Sequence, residues 1–154
     1  MKIANLTGMI GLVVLFGTLN GTQARESSKP AHYKAPKTSS QCMFVYGAVT
    51  IDGQPAAVGD EVAVLNGQGT VCGAGTVVAG GRLPSVAVYQ DDPVTPKVEG
   101  AKKGETLFFA LWDRSAKAQI APKSVVANTV GDAKGAPTYV GGFEVVEITI
   151  NASR

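Results

Sequence analysis

The chain has 154 residues, 45% of them hydrophobic and 17% charged, with a formal net charge of +2. So weak a positive balance gives no electrostatic basis for binding nucleic acid or an anionic membrane, and the length fits one domain with little room for two. A single histidine and two cysteines leave few ways to build a histidine-containing zinc site or a nucleophilic triad.

Residues 1–24 read as a signal peptide. Lys2 gives a positive start, Met9 to Leu19 an apolar stretch, and Thr22-Gln23-Ala24 the small residues a signal peptidase requires. The apolar stretch is too short for the roughly 20 residues of a membrane span, and no cysteine follows it for lipid attachment. Cleavage near Ala24 would release the chain to the periplasm or the exterior, with no membrane span. Residues 25–41, RESSKPAHYKAPKTSSQ, hold almost no aliphatic side chain and read as a flexible leader before a domain over 42–154. A donor strand would need alternating apolar residues, which this segment lacks.

Met43 to Ile51 alternates as a strand does, Asp52-Gly53 marks a tight turn, and Asp60 to Leu65 follows. Asn66-Gly67-Gln68-Gly69 signals a second hairpin into Thr70 to Ala79, whose Gly73 and Gly75 thin the strand and suggest a bulge or a bulky neighbour, such as Trp112, lying across it. Gly80-Gly81 ends that strand, and Leu83 to Tyr89 leads into a loop. Pro93 and Pro96 lack an N–H and keep the loop out of any ladder, Asp91 and Asp92 suit Asx turns, and Gly100 and Gly104 suit bends. Thr106 to Trp112 places Leu107, Phe109 and Leu111 on one face and Phe108, Ala110 and Trp112 on the other, the pattern of a strand in mid-sheet. Ala118 to Val130 is the least defined strand, Gly131 to Gly142 a loop, and Phe143 to Ile150 a plain alternating strand. About seven short strands between Gly, Pro and Asp turns, with no amphipathic helix, predict an all-β fold, a single antiparallel β-sandwich, with a small barrel as the nearest competitor. Trp112 is expected in the core, so that Trp112→Ala costs roughly 3 kcal/mol or more.

Several residue groups invite a functional reading. In an oxidising compartment Cys42 and Cys72 either join in a disulfide, with roughly 3–4 kcal/mol of stabilisation, or remain two thiols. His32 is in the leader, so the domain has no histidine base, and Asp91 and Asp92 diverge as neighbours on an extended loop; no catalytic residue is assigned and the protein is expected not to be an enzyme. The loop residues Tyr89, Asp91, Asp92, Thr95 and Glu99 form a candidate binding surface. Asp91, Asp92, Glu99 and Asp113 could supply hard oxygen ligands to calcium, the one cofactor considered, against the alternative that these carboxylates bond turn amides. Phe44, Tyr46, Tyr89, Phe108 and Trp112 could stack on sugar rings if exposed together, although most suit a core; Tyr46 and Tyr89 are expected to be partly exposed.

The succession Val49-Thr50-Ile51-Asp52-Gly53-Gln54-Pro55-Ala56, Val58-Gly59-Asp60-Glu61-Val62, Val71-Cys72-Gly73, and Tyr89 with Asp91-Asp92-Pro93, Thr95-Pro96, Gly100-Ala101 and Gly104-Glu105 resembles a module of secreted bacterial proteins. It is similar to the immunoglobulin-like and carboxypeptidase-regulatory-like β-sandwiches. That resemblance implies an immunoglobulin-like fold of about seven strands and a role in adhesion, surface assembly or support of a neighbouring domain. The expected function is therefore non-enzymatic association with a protein partner or with itself; the alternative is a carbohydrate- or calcium-binding module.

Overall fold

The computed structural model describes residues 29–34, 39–128 and 135–154. The signal-peptide assignment, parts of the leader (25–28 and 35–38) and the stretch 129–134 lie outside the described residues. The described residues form nine strands and no helix: β1 (Cys42–Ile51), β2 (Gln54–Pro55), β3 (Glu61–Leu65), β4 (Val71–Thr76), β5 (Arg82–Tyr89), β6 (Phe108–Asp113), β7 (Ala118–Ile120), β8 (Pro122–Ala127) and β9 (Val145–Ala152).

They make a β-sandwich. In sheet A, β1 carries β9 along one edge and β5 and β2 along the other, with β8 beyond β9; sheet B runs β4-β3-β6-β7. Turn chemistry places the hairpins. Asp52 and Gly53 both take positive φ (53° and 75°) between the paired residues Ile51 and Gln54, as a two-residue hairpin of this hand requires. Asn66 closes the β3–β4 turn, its N–H donating to the Thr70 carbonyl while its Oδ1 accepts from the N–H groups of Gln68 and Thr70.

Three features differ from the sequence reading. First, β1 and β9 pair in parallel, Phe44 opposite Val145 through Ile51 opposite Ala152, so the sandwich is not wholly antiparallel; period-two alternation fixes which face a residue takes and says nothing of direction. Second, the segment from Ala118 breaks at Ala121: β7 pairs with β6 in sheet B and β8 with β9 in sheet A. Pro122, without an N–H, stands where the chain changes sheets. Third, Gly73 and Gly75 accommodate the opposite sheet and not Trp112, while the bulge they also suggested is present where the β3–β4 register shifts between Val64 opposite Gly73 and Leu65 opposite Val71. A Cβ on Gly73 would lie 2.6 Å from the Ala87 carbonyl oxygen, and one on Gly75 would meet the side chains of Val86 and Leu83.

The core lies between the sheets. Met43, Val45, Val49 and Ile51 of β1, Val62 and Val64 of β3, Phe109 and Leu111 of β6, and Ile148 and Ile150 of β9 are buried in one cluster. The strand Phe108–Asp113 sits in mid-sheet as expected, with Leu107, Phe109 and Leu111 inward. Trp112 is not in this core. It packs on the outer face of sheet B in a second, smaller cluster.

Candidate functional site

The loop from residue 90 to 104 leaves the end of β5, where Tyr89 pairs with Cys42, and is tied to itself almost throughout. Asp91 Oδ1 accepts from the N–H groups of Glu99 (2.8 Å) and Gly100 (3.3 Å), and Asp92 Oδ1 accepts from that of Val94 at 2.9 Å. Thr95 Oγ1 lies within bonding distance of the carbonyl oxygens of Asp92 and Lys97. The Asn66 amide donates to the Gly100 carbonyl at 2.9 Å, and the Glu105 carboxylate takes the N–H groups of Gly67 and Lys102. Glu99 meets Lys97 at 3.8 Å across the surface. Asp91 and Asp92 thus order the loop as Asx-type acceptors do.

Among the described residues no three His, Cys, Asp or Glu side chains are grouped so as to hold a metal ion. Asp113 in particular does not join Asp91, Asp92 and Glu99. It ends β6 beside the Asp60 side of β3, roughly 17 Å along the strand from Phe108, which lies at the end nearer the loop. There its side chain, 1% exposed, holds Arg154 of the C-terminal segment at 2.6 Å, with Ser115 and the Ala116 N–H as further donors. Arg154 also reaches Asp52 at 2.9 Å, joining the β1–β2 turn to the β6–β7 turn. The Ala116 N–H foremost, then Ser115 and Arg154, hold the Asp113 carboxyl at about 2 against the opposing effect of burial. Because this folded-state value lies below the ordinary 3.8, the stabilisation is complete above about pH 4 and is lost as pH falls toward 2. Urea titrations across that window should show stability falling in the wild type, and Asp113→Asn should flatten the fall at a cost of about 1–2 kcal/mol at neutral pH.

Cys42 and Cys72 are buried free thiols, so the disulfide admitted by the sequence is not formed. Sequence separation does not report whether two Cβ atoms approach within bonding geometry. Cys72 Sγ donates to the Thr70 carbonyl at 3.3 Å, and burial pushes its thiol up to about 11. The fully buried Tyr139 is close enough for both sulfurs to act on it; burial first, then Cys42 and Cys72, push its phenol up to about 12.

The feature the sequence reading did not anticipate is on the outer face of sheet B. Glu61, Ala63 and Leu65 of β3 point outward opposite Trp112, Ala110 and Phe108 of β6. Over them lies part of the leader. The Glu61 carboxylate accepts from the N–H groups of Ala31 (2.8 Å), His32 (3.1 and 2.9 Å) and Tyr33 (3.0 Å). The His32 ring stacks on Trp112 with centroids 3.7 Å apart and planes 7° from parallel. Tyr33 is buried against Ala63 and Ala110, flanked by Leu65, Val71, Ala74 and Trp112. Its hydroxyl finds no partner among the described residues, and burial, with Glu61 adding to it, raises its phenol. A signal was present: Glu61 is the one acidic residue in a strand otherwise made of Val, Ala and Leu, and such a residue needs donors brought to it.

Two of the expected binding residues border this segment. Tyr89 lines a groove of about 460 Å³ with Lys29, Pro30, Tyr33, Lys34 and Ala74. Glu99 lines a smaller one of about 220 Å³ with Lys34, Thr70, Val71 and Lys97. Asp91, Asp92 and Thr95 line neither groove.

Exposed apolar residues occur on both outer faces: on sheet B Phe108 is 53% exposed at the end of β6, and on sheet A they are grouped at the ends of β1 and β9. Val145 is 60% exposed beside half-buried Phe44, and Tyr46, two residues along β1, is 39% exposed. Phe143, 57% exposed, lies in the turn just before β9 in a left-handed conformation with φ 60°, directly after Gly141 and Gly142 at 71° and 67°. Its N–H is held by the Cys42 carbonyl at 2.9 Å. An aromatic residue in that conformation is strained and persists only because its surroundings impose it. No family model, no curated protein and no solved structure matches this chain.

Proposed function

We propose that the chain is an exported, non-enzymatic module of immunoglobulin-like type, similar to the carboxypeptidase-regulatory-like sandwiches, that works by protein association, with a partner or with a second copy of itself, through the outer face of sheet A. The observation that carries this reading is Phe143, an exposed aromatic residue held at positive φ two residues before exposed Val145. Strained, solvent-facing apolar side chains gathered on one sheet face are a feature of association surfaces. The rigid sheet beneath supplies a preformed platform, which lowers the ordering cost of binding. Adhesion, surface assembly and support of a neighbouring domain all use such a platform.

The exposed rings of Tyr46 and Phe143 favour one second reading, stacking on a carbohydrate. Light scattering separates the two. For association through sheet A, the mean mass of Tyr33→Ala, which cannot fill the outer face of sheet B, should rise with protein concentration, and adding Val145→Lys should abolish the rise with a stability change within about 0.5 kcal/mol. A mass fixed at one chain throughout, with retention on a polysaccharide column that Tyr46→Ala weakens, would overturn association in favour of sugar binding.

A further inference from the structure

We infer that the outer face of sheet B is a peptide-docking site whose occupant is the Pro30–Tyr33 segment, and that the segment of a second copy of this chain takes the same seat, giving arm-exchanged dimers. The inference is separate from association through sheet A, because it uses the opposite face of the sandwich.

Three properties of the seat support it. Recognition is directed at the backbone: the Glu61 carboxylate gathers three successive N–H groups, of Ala31, His32 and Tyr33. Such bonds depend on the bend the peptide makes at Ala31 and His32, which turns successive N–H groups to one side, and not on its covalent attachment to the receiving domain. Side-chain specificity comes from two neighbouring rings, His32 stacked on Trp112 and Tyr33 buried against Ala63 and Ala110. Charge complements both, since Lys29 and Lys34 flank the segment and the acceptor is an acid 6% exposed.

The connection also favours exchange. Ser39 is tied down where the chain re-enters the domain, its Oγ within bonding distance of the carbonyl oxygens of Gln41 and Gln90. Only residues 35–38 separate it from Lys34. Four residues are short for a hinge, a length that favours exchange between copies, and every contact made in cis is available unchanged in trans.

The test is complementation, with both chains carrying Val145→Lys so that sheet A contributes nothing. Tyr33→Ala keeps the seat and loses the ring that fills it; Glu61→Lys keeps the arm and loses the acceptor. Each variant alone should sediment as one chain. Mixed in equal amounts at up to about 1 mM, they should form a species of twice the mass. The emission of Trp112, the single tryptophan, should then depart from the sum of the two components as His32 of one chain stacks on Trp112 of the other. Should Glu61→Lys fail to fold by circular dichroism, Glu61→Gln replaces it with the same readouts. A mixture whose mass and emission equal the sum of its parts at every concentration would overturn the inference.

Discussion

Gly47→Ala is expected to destabilise the protein by about 4 kcal/mol, and to lower its melting temperature by about 15–30 °C. Gly47 sits at the shift in register between β1 and β5 with φ 154°, and lies directly opposite Ile148 of the parallel strand β9. A Cβ there would overlap the Ile148 carbonyl oxygen and crowd its carbon, 2.8 Å away. The obstruction is backbone on a central strand pair, so no side-chain rotation relieves it. The β1–β9 pair would have to separate, and with it the inward residues Val45, Val49, Ile148 and Ile150. Gly135 is the control, because a Cβ on it meets nothing within 4 Å; Gly135→Ala should change stability by no more than about 0.5 kcal/mol. Urea denaturation of the two variants measures the difference, and a Gly47→Ala cost below about 1 kcal/mol would be incompatible with the parallel pairing.

Leu111→Ala should cost about 3–4 kcal/mol, while Trp112→Ala, despite removing a far larger side chain, should cost about 1–2 kcal/mol. The two residues are neighbours on β6 and take opposite faces. Leu111 is fully buried among the inward residues of both sheets, where truncation leaves a cavity the packed layers cannot close. Trp112 lies on the outer face with Glu61 across from it on β3 and His32 on its ring. Removing it loses a stacking contact and part of the Tyr33 seat, with solvent available to fill the space. Equal costs for the two, or the reverse order, would mean that β6 is turned by one residue from the register described.

What could be read in advance follows from where local chemistry is decisive. Asp52-Gly53 and Gly80-Gly81 marked turns because the chain needs positive φ there, and all four residues have it. The alternation in Leu107, Phe109 and Leu111 placed them inward because one face of a strand must be apolar when one face is buried. Direction was not legible: Val146, Ile148 and Ile150 alternate identically whether β9 runs with β1 or against it. Trp112 misled for a related reason, since size and hydrophobicity argue for burial but cannot tell the inter-sheet core from an outer face covered by another segment. The 25–41 stretch was read from composition, which averages over His32 and Tyr33 and conceals that two aromatic residues can anchor a polar peptide. At the loop, the residue types at 91 and 92 suggested Asx turns, and both side chains bond loop amides. Asp113 joined the expected calcium ligands only because acidic residues were gathered by proximity in sequence, whereas β6 carries it away from the loop.

The difference between the two outer faces, one covered by residues of the N-terminal segment and one with no segment over it among the described residues, underlies both the proposed association surface and the inferred exchange of arms. Hydrogen exchange read at single amides tests it most directly. The amides of Ala31, His32 and Tyr33, bonded to Glu61, should exchange at least about 100-fold more slowly than in an unstructured peptide, and Glu61→Gln should remove most of that protection. Exchange of these three amides at the rate of a free peptide in the wild type would contradict the seated segment and with it the difference between the two outer faces.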